Sequence, residues 1–184
     1  MYNSGVKMES SSTKCAVHRK HNSLAAQRAL IVCYGNPMRS DDGVAWRVAE
    51  HLAPRLDKAS TELLCSVQLT PELADAMSQV DRVLFVDAAA GGEPGEIRWS
   101  SIRADEHIPM LPGPNFTHQS SPQSLLALCR IVYKVAPETS VVTVGAASFE
   151  LGEALTEEVE TVIVEVAASI QDWLKNQPIS KKWL

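Results

Sequence analysis

Six consecutive apolar residues, Ala29-Leu30-Ile31-Val32-Cys33-Tyr34, stop abruptly at Gly35-Asn36-Pro37. Such a run, bounded by turn residues, reads as a strand buried on both faces. Past Ser40-Asp41-Asp42-Gly43 the period changes: Val44, Val48, Ala49, Leu52 and Leu56 share one face of a helix. Asp41 and Asp42 stand at its start, where a carboxylate suits both the cap and the positive end of the helix dipole. Leu63 to Val67 reads as a second strand. Thr70-Pro71-Glu72 then supplies an N-cap, a first-position proline and an acid for a helix whose apolar face is Leu73, Ala76, Met77 and Val80. Arg82 to Asp87 is a third strand closed by a carboxylate. Gly91 to Gly95 is a turn, and Glu96 to Trp99 alternates as an edge strand does.

The second half repeats the rhythm after an irregular stretch, residues 103–121, which holds three prolines, His107 and His118. Ser121-Pro122 caps a helix through Leu125, Leu126, Cys129 and Val132. Val141 to Val144 is a strand closed by Gly145. Thr156 caps a long helix with Val159, Val162, Ile163, Val166, Ile170 and Leu174 inward. Strands alternate with helices throughout. This predicts a single-domain, three-layer α/β sandwich, with a twisted, mostly parallel sheet and helices on both faces. The expected domain covers residues 29–177. Residues 1–28, polar and without periodicity, read as a disordered extension, and residues 178–184 as a loose tail.

Composition narrows the function. The 184 residues carry a net charge of -5, against the basic surface that nucleic-acid binding requires. No stretch approaches a membrane span, and the N-terminal segment has no apolar signal core. Four cysteines, Cys15, Cys33, Cys65 and Cys129, form no CxxC pair. The last three sit in apolar runs, where a reduced cysteine acts as a small buried hydrophobe. These features point to a cytoplasmic protein.

In open α/β sheets, ligands bind beyond the C-terminal ends of the strands. Asp41 and Asp42 follow the first strand, Asp87 ends the third, and His118 precedes a helix. Two carboxylates and an imidazole make an O,O,N set for a divalent metal. Each also has a plainer reading: Asp41 as a cap, which leaves Asp42 the less explained, and His118 as a solvated loop residue. A nucleotide site is excluded, because residues 35–43 lack the second and third glycines of GxGxxG and place two aspartates where a phosphate would lie. No GxSxG elbow or Walker loop is present.

The blocks Tyr34-Gly35-Asn36-Pro37-Met38-Arg39-Ser40-Asp41-Asp42-Gly43, Phe85-Val86-Asp87-Ala88, Glu93-Pro94-Gly95-Glu96-Ile97, Phe116-Thr117-His118 and Gly145 through Ser148-Phe149-Glu150-Leu151-Gly152-Glu153-Ala154-Leu155-Thr156 resemble, in order, the [NiFe]-hydrogenase maturation proteases. Gln68 to Leu73 and the SFELGE block look closest to members serving cyanobacterial-type bidirectional or uptake hydrogenases. The resemblance covers about residues 29–175. It implies a compact α/β endopeptidase that trims a C-terminal extension from the hydrogenase large-subunit precursor. It also implies three metal-reading positions, here Asp42, Asp87 and His118, serving as catalytic and metal residues. The nickel is expected to come with the precursor, so no permanently bound cofactor is expected, and the protease is expected to be a monomer. Either the metal polarises the scissile carbonyl or activates water, or Asp42 or Asp87 serves as general base. The alternatives are a non-catalytic chaperone for the precursor and an unrelated metal-dependent hydrolase. The absence of HExxH argues against the latter.

Overall fold

The computed structural model describes residues 27–103 and 120–176. Residues 1–26, most of the expected extension, lie outside the described residues, as do residues 104–119 with His118 and the tail after Asn176. Gln27 and Arg28 are described. The Arg28 backbone N–H donates to Asp81 Oδ2 at 2.9 Å, and its guanidinium donates to the Gln79 carbonyl.

Five strands form one sheet: β1 (Ala29–Tyr34), β2 (Thr61–Ser66), β3 (Arg82–Ala89), β4 (Ile97–Ile102) and β5 (Glu138–Gly145). Their order is β2-β1-β3-β5-β4. β1 runs parallel to β2 and β3, and β3 parallel to β5, while β4 is the antiparallel edge. The helices are α1 (Val44–Leu52), α2 (Leu73–Ser78), α3 (Pro122–Leu128), α4 (Glu157–Glu160) and α5 (Ile163–Lys175).

Strand alternation builds a core on each face. Ile31, Cys33, Leu84, Val86, Val142 and Val144 meet Val44, Val48 and Leu52 of α1 and Ile163, Val166 and Ile170 of α5. On the opposite face Leu30, Val32, Val83 and Phe85 meet Met77 of α2 and Leu125 and Leu126 of α3. Each fully buried aliphatic or aromatic side chain contributes about 1.5–3 kcal/mol. The expected three-layer α/β architecture is the one observed.

Several local expectations are corrected. No side chain caps α1, whose N-cap is Gly43; Asp41 and Asp42 are used elsewhere. Thr70 does not cap α2. Leu73, Ala74 and Asp75 donate to the carbonyls three residues back, so a tighter turn precedes the helix. The long C-terminal helix is two pieces, broken at Thr161-Val162. There the Thr161 hydroxyl donates to the Glu158 carbonyl and Val162 N–H donates to Val159 instead of to residue 158. Val132 faces solvent, because the chain widens into a π turn over Cys129–Tyr133 that rotates the helical face. Cys65 is exposed, unlike Cys33 and Cys129. The Ser121 cap is as expected, completed by reciprocal bonds with Ser124.

Candidate active site

The strand order places β1 between β2 and β3, and the helix that leaves β1, α1, packs on one face of the sheet while the helix that enters β3, α2, packs on the other. That is the topological switch point, where the C-terminal strand ends diverge and open a crevice. Tyr34 ends β1 there. In the parallel register Cys33 lies opposite Val86, which brings Tyr34 level with Asp87.

Asp87 is half-buried. Burial raises its carboxyl pKa to about 6, and the nearby Asp42 carboxylate adds to that rise. Hydrogen bonds from the Tyr34 hydroxyl and the Ala88 N–H oppose it. Tyr34 is itself pushed well above its ordinary value by burial and by the two carboxylates, so its phenol stays protonated and donates. Its ring packs edge-on against Phe85, with centroids 6.3 Å apart. Two carboxylates at one crevice, the buried one kept basic, are what a metal-reading or proton-abstracting site needs.

Asp42 is set by the loop that precedes it. Its Oδ2 accepts from Asn36 N–H at 2.8 Å, which closes the Gly35–Asp42 loop on itself. Gly35 sits at φ +139, and a Cβ there would lie 2.1 Å from the Asp42 carbonyl oxygen. Only glycine permits that approach. The Trp46 indole N–H donates to the Gly35 carbonyl at 2.8 Å, pinning the loop to α1.

Asp41, read from sequence as a cap, clamps a distant loop. It is completely buried. Its carboxylate accepts from Ala147 N–H at 2.8 Å, Ser148 N–H at 2.9 Å and Thr156 N–H at 2.7 Å, and from the Thr156 hydroxyl. The backbone adds Ser40 N–H to Gly152 carbonyl at 2.7 Å and Gly152 N–H to Met38 carbonyl at 3.0 Å. Ser40 occupies the left-handed region at φ 46, a strained conformation for serine held by these bonds. Thus the block containing DDG and the block SFELGEALT are two halves of one structure.

The structure therefore brings Asp42 and Asp87 together. His118 lies outside the described residues. Among the described residues, no three His, Cys, Asp or Glu side chains converge as a metal cluster. Tyr34 and Asp41 were missed as site residues. A phenol ending a strand one register step from a carboxylate was the available signal for Tyr34; Asp41 had no comparable local signal.

A family model described as "Hydrogenase maturation protease" matches residues 46–173. The chain belongs to the hydrogenase maturation protease family. Members of this family are endopeptidases, so the chain is a peptidase. The match begins four residues beyond Asp42 and includes Asp87. Solved structures agree in fold. The hydrogenase maturating endopeptidase HybD from E. coli is 25% identical with a TM-score of 0.64, covering 80% of this chain and 92% of its own. The [NiFe] hydrogenase maturation protease HycI from Thermococcus kodakarensis is 23% identical with a TM-score of 0.63, covering 82% and 94%. The hydrogenase 2 maturation peptidase from a Thaumarchaeota archaeon is 22% identical with a TM-score of 0.62, covering 82% and 100%. No curated protein matches the chain by sequence. Among the described residues no helix is long and apolar enough to cross a membrane.

Proposed function

We propose that this maturation protease removes a C-terminal extension from the large-subunit precursor of a [NiFe] hydrogenase once nickel is in place, and that Asp42, Asp87 and His118 meet that nickel. The observation that carries the reading is the pairing of Asp42 with a desolvated Asp87 at the switch point of the sheet. Hard oxygen donors beside an imidazole suit nickel or zinc. The metal belongs to the substrate, so its presence acts as a licence: the contacts these side chains make with it exist only in the loaded precursor.

The chain's own contribution is placement. Asn36 orients Asp42, and Tyr34 orients Asp87 while keeping it ionisable near neutrality. An ionised Asp87 can serve either as a ligand or as the base that takes a proton from the attacking water. The clamp built on Asp41 holds the Met38 to Gly43 segment against residues 147–156. On these paired segments Met38 and Leu151, 53% and 88% exposed, form apolar surface open to a peptide. The protein is taken to act as a monomer in the cytoplasm, in keeping with its free cysteines Cys33, Cys65 and Cys129.

The test is the intact mass of a hydrogenase large-subunit precursor after incubation with the protein, with and without nickel loaded. Loss of a C-terminal peptide from the nickel-loaded form alone is expected. Equal cutting of both forms would overturn the nickel licence. Co-purification without any cutting would make the chain a precursor-binding chaperone.

A further inference from the structure

Cys33 and Cys65 are direct partners in the parallel register of β1 and β2. Neighbouring strands run about 4.8 Å apart, inside the window of about 4.4–6.8 Å between Cα atoms that a disulfide accepts. As register partners on parallel strands, the two thiols face the same side of the sheet, and each shifts the other's ionisation. One partner is completely buried and the other exposed. A cysteine serving only as core filler has no reason to be open to solvent, and the site described above uses neither.

We infer that Cys33 and Cys65 are a redox-responsive dithiol, closed to a cross-strand disulfide by low-molecular-weight disulfides such as oxidised glutathione, and that closure slows the protease. The Cys65 thiolate attacks one sulfur of the glutathione disulfide, forming a mixed disulfide and releasing one glutathione thiolate. Cys33 then attacks Cys65 Sγ. The Cys33–Cys65 bond forms, the mixed disulfide breaks, and the second glutathione leaves, taking the Cys33 proton. The protein loses two electrons and two hydrogens, and one glutathione disulfide becomes two glutathione thiols.

The asymmetry of the pair fits these roles. Cys33, beside the Cys65 thiol and buried, is pushed well above the ordinary thiol value. Cys65, beside Cys33, is lowered to about 7, with Glu50 of α1 the charged group that opposes this. A thiol of pKa near ambient pH is the best attacking group. The exposed member is thus the one that meets the oxidant, and the buried member resolves it.

The link to activity is positional and rests on the function proposed above. Cys33 directly precedes Tyr34, which contacts Asp87, and lies two residues before Gly35. Gly35 N–H donates to the Ser66 carbonyl at 3.1 Å, so the residues following both cysteines are tied together. A disulfide needs its Cβ atoms about 3.8 Å apart, closer than the strand spacing of about 4.8 Å, so closure shifts or tilts the paired residues by up to about 1 Å at the root of the Asp42 loop. A displacement of about 1 Å in a positioning element can cost on the order of 10²-fold in rate.

The experiment treats the full-length protein with oxidised glutathione. It reads intact mass, the cross-linked peptide map, amide exchange over residues 35–42, and cleavage of the nickel-loaded precursor. Expected are loss of two hydrogens, a Cys33–Cys65 peptide, altered exchange in the loop, and cleavage slowed by about 10- to 100-fold, all reversed by dithiothreitol. Cys65→Ser is expected to keep the basal rate and resist the oxidant. Three results would each overturn the inference: glutathione retained on Cys65, no reaction at Cys33, or a mapped disulfide with unchanged loop exchange and rate. Failure of the reduced protein to cleave at all would instead count against the proposed function, while the peptide map and the exchange still decide the dithiol.

Discussion

The carboxylate of Asp41 accepts from both the backbone N–H and the hydroxyl of Thr156, 115 residues further along the chain. Together with the bonds from Ala147 and Ser148, this makes one buried charge the organising point of two loops. Hydrogen bonds to a charged group are worth about 1.5–3 kcal/mol each, and removing the acceptor leaves its donors unpaired. Asp41→Ala is therefore expected to lose about 3–5 kcal/mol of stability, and Thr156→Ala less, about 1–2 kcal/mol, since its N–H is kept. Urea unfolding measures both; an Asp41→Ala loss below that of Thr156→Ala would refute the clamp.

The same carboxyl predicts acid sensitivity. Bonds from Thr156, Ser148 and Ala147 outweigh the opposing effect of burial and hold its pKa below the ordinary aspartate value. A depressed carboxyl contributes stability that is fully present above the unfolded-state pKa and is lost as pH falls through the folded one. The wild-type unfolding midpoint should therefore fall as pH is lowered beneath about 4, and Asp41→Asn should flatten that limb. Denaturant titrations across this range give the comparison.

These two relationships show where sequence was informative. Local signals were readable: the apolar run Ala29–Tyr34, the helical face of Val44, Val48 and Leu52, and the Ser121-Pro122 cap all reflect interactions within a few residues. The layered α/β class with a mostly parallel sheet followed from the alternation of elements, whereas the strand order β2-β1-β3-β5-β4 rests on pairings between distant residues that local patterns do not carry. Asp42 and Asp87 were legible as a pair because switch-point geometry gathers polar residues at strand ends. Asp41 was not, since its partners are more than a hundred residues away and a carboxylate before a helix looks like a cap. The break between α4 and α5 was also hidden. The apolar spacing continues across it, and only the Thr161 hydroxyl bonding back to Glu158 marks it.

Asp87 sets a pH dependence of the opposite kind. Its pKa is raised to about 6, so between the ordinary carboxylate value and 6 the folded protein holds a proton that the unfolded chain has released. Its contribution to stability is thus greatest at low pH and declines as pH rises through that window. Activity runs the other way, because a ligand or a base must be ionised. Cleavage should fall as pH drops below about 6. Tyr34→Phe removes a hydrogen bond that favours the ionised form, so its pH–rate midpoint should move higher. A midpoint unmoved or lowered in the variant would show that the phenol does not support the carboxylate.

Gly35 offers a steric test of the loop. Gly35→Ala places a Cβ 2.1 Å from the Asp42 carbonyl oxygen, at a φ of +139 that alanine rarely adopts. Backbone cannot yield as a flexible side chain does. The variant should lose precursor cleavage by about 100-fold or more, as displacement of the loop carries Asp42 with it, and should unfold at lower urea. Near wild-type rates would mean that the loop rearranges without consequence for the site.

Asp42→Asn separates charge from architecture. The amide oxygen of asparagine can still accept from Asn36 N–H, the bond that Asp42 Oδ2 receives at 2.8 Å. The loop should keep its shape, and stability should change by less than about 1 kcal/mol. What disappears is the negative charge facing Asp87. That charge helps to raise the Asp87 carboxyl, so in the variant Asp87 should titrate lower. Precursor cleavage should nonetheless be lost by several orders of magnitude, because a neutral amide is a weak ligand and no base. Asp87→Asn and His118→Ala should match it in rate loss. Parallel measurement of urea stability and precursor cleavage reads both effects. A folded Asp42→Asn protein that still trims the nickel-loaded precursor would remove Asp42 from the chemistry and leave it only the task of closing its loop.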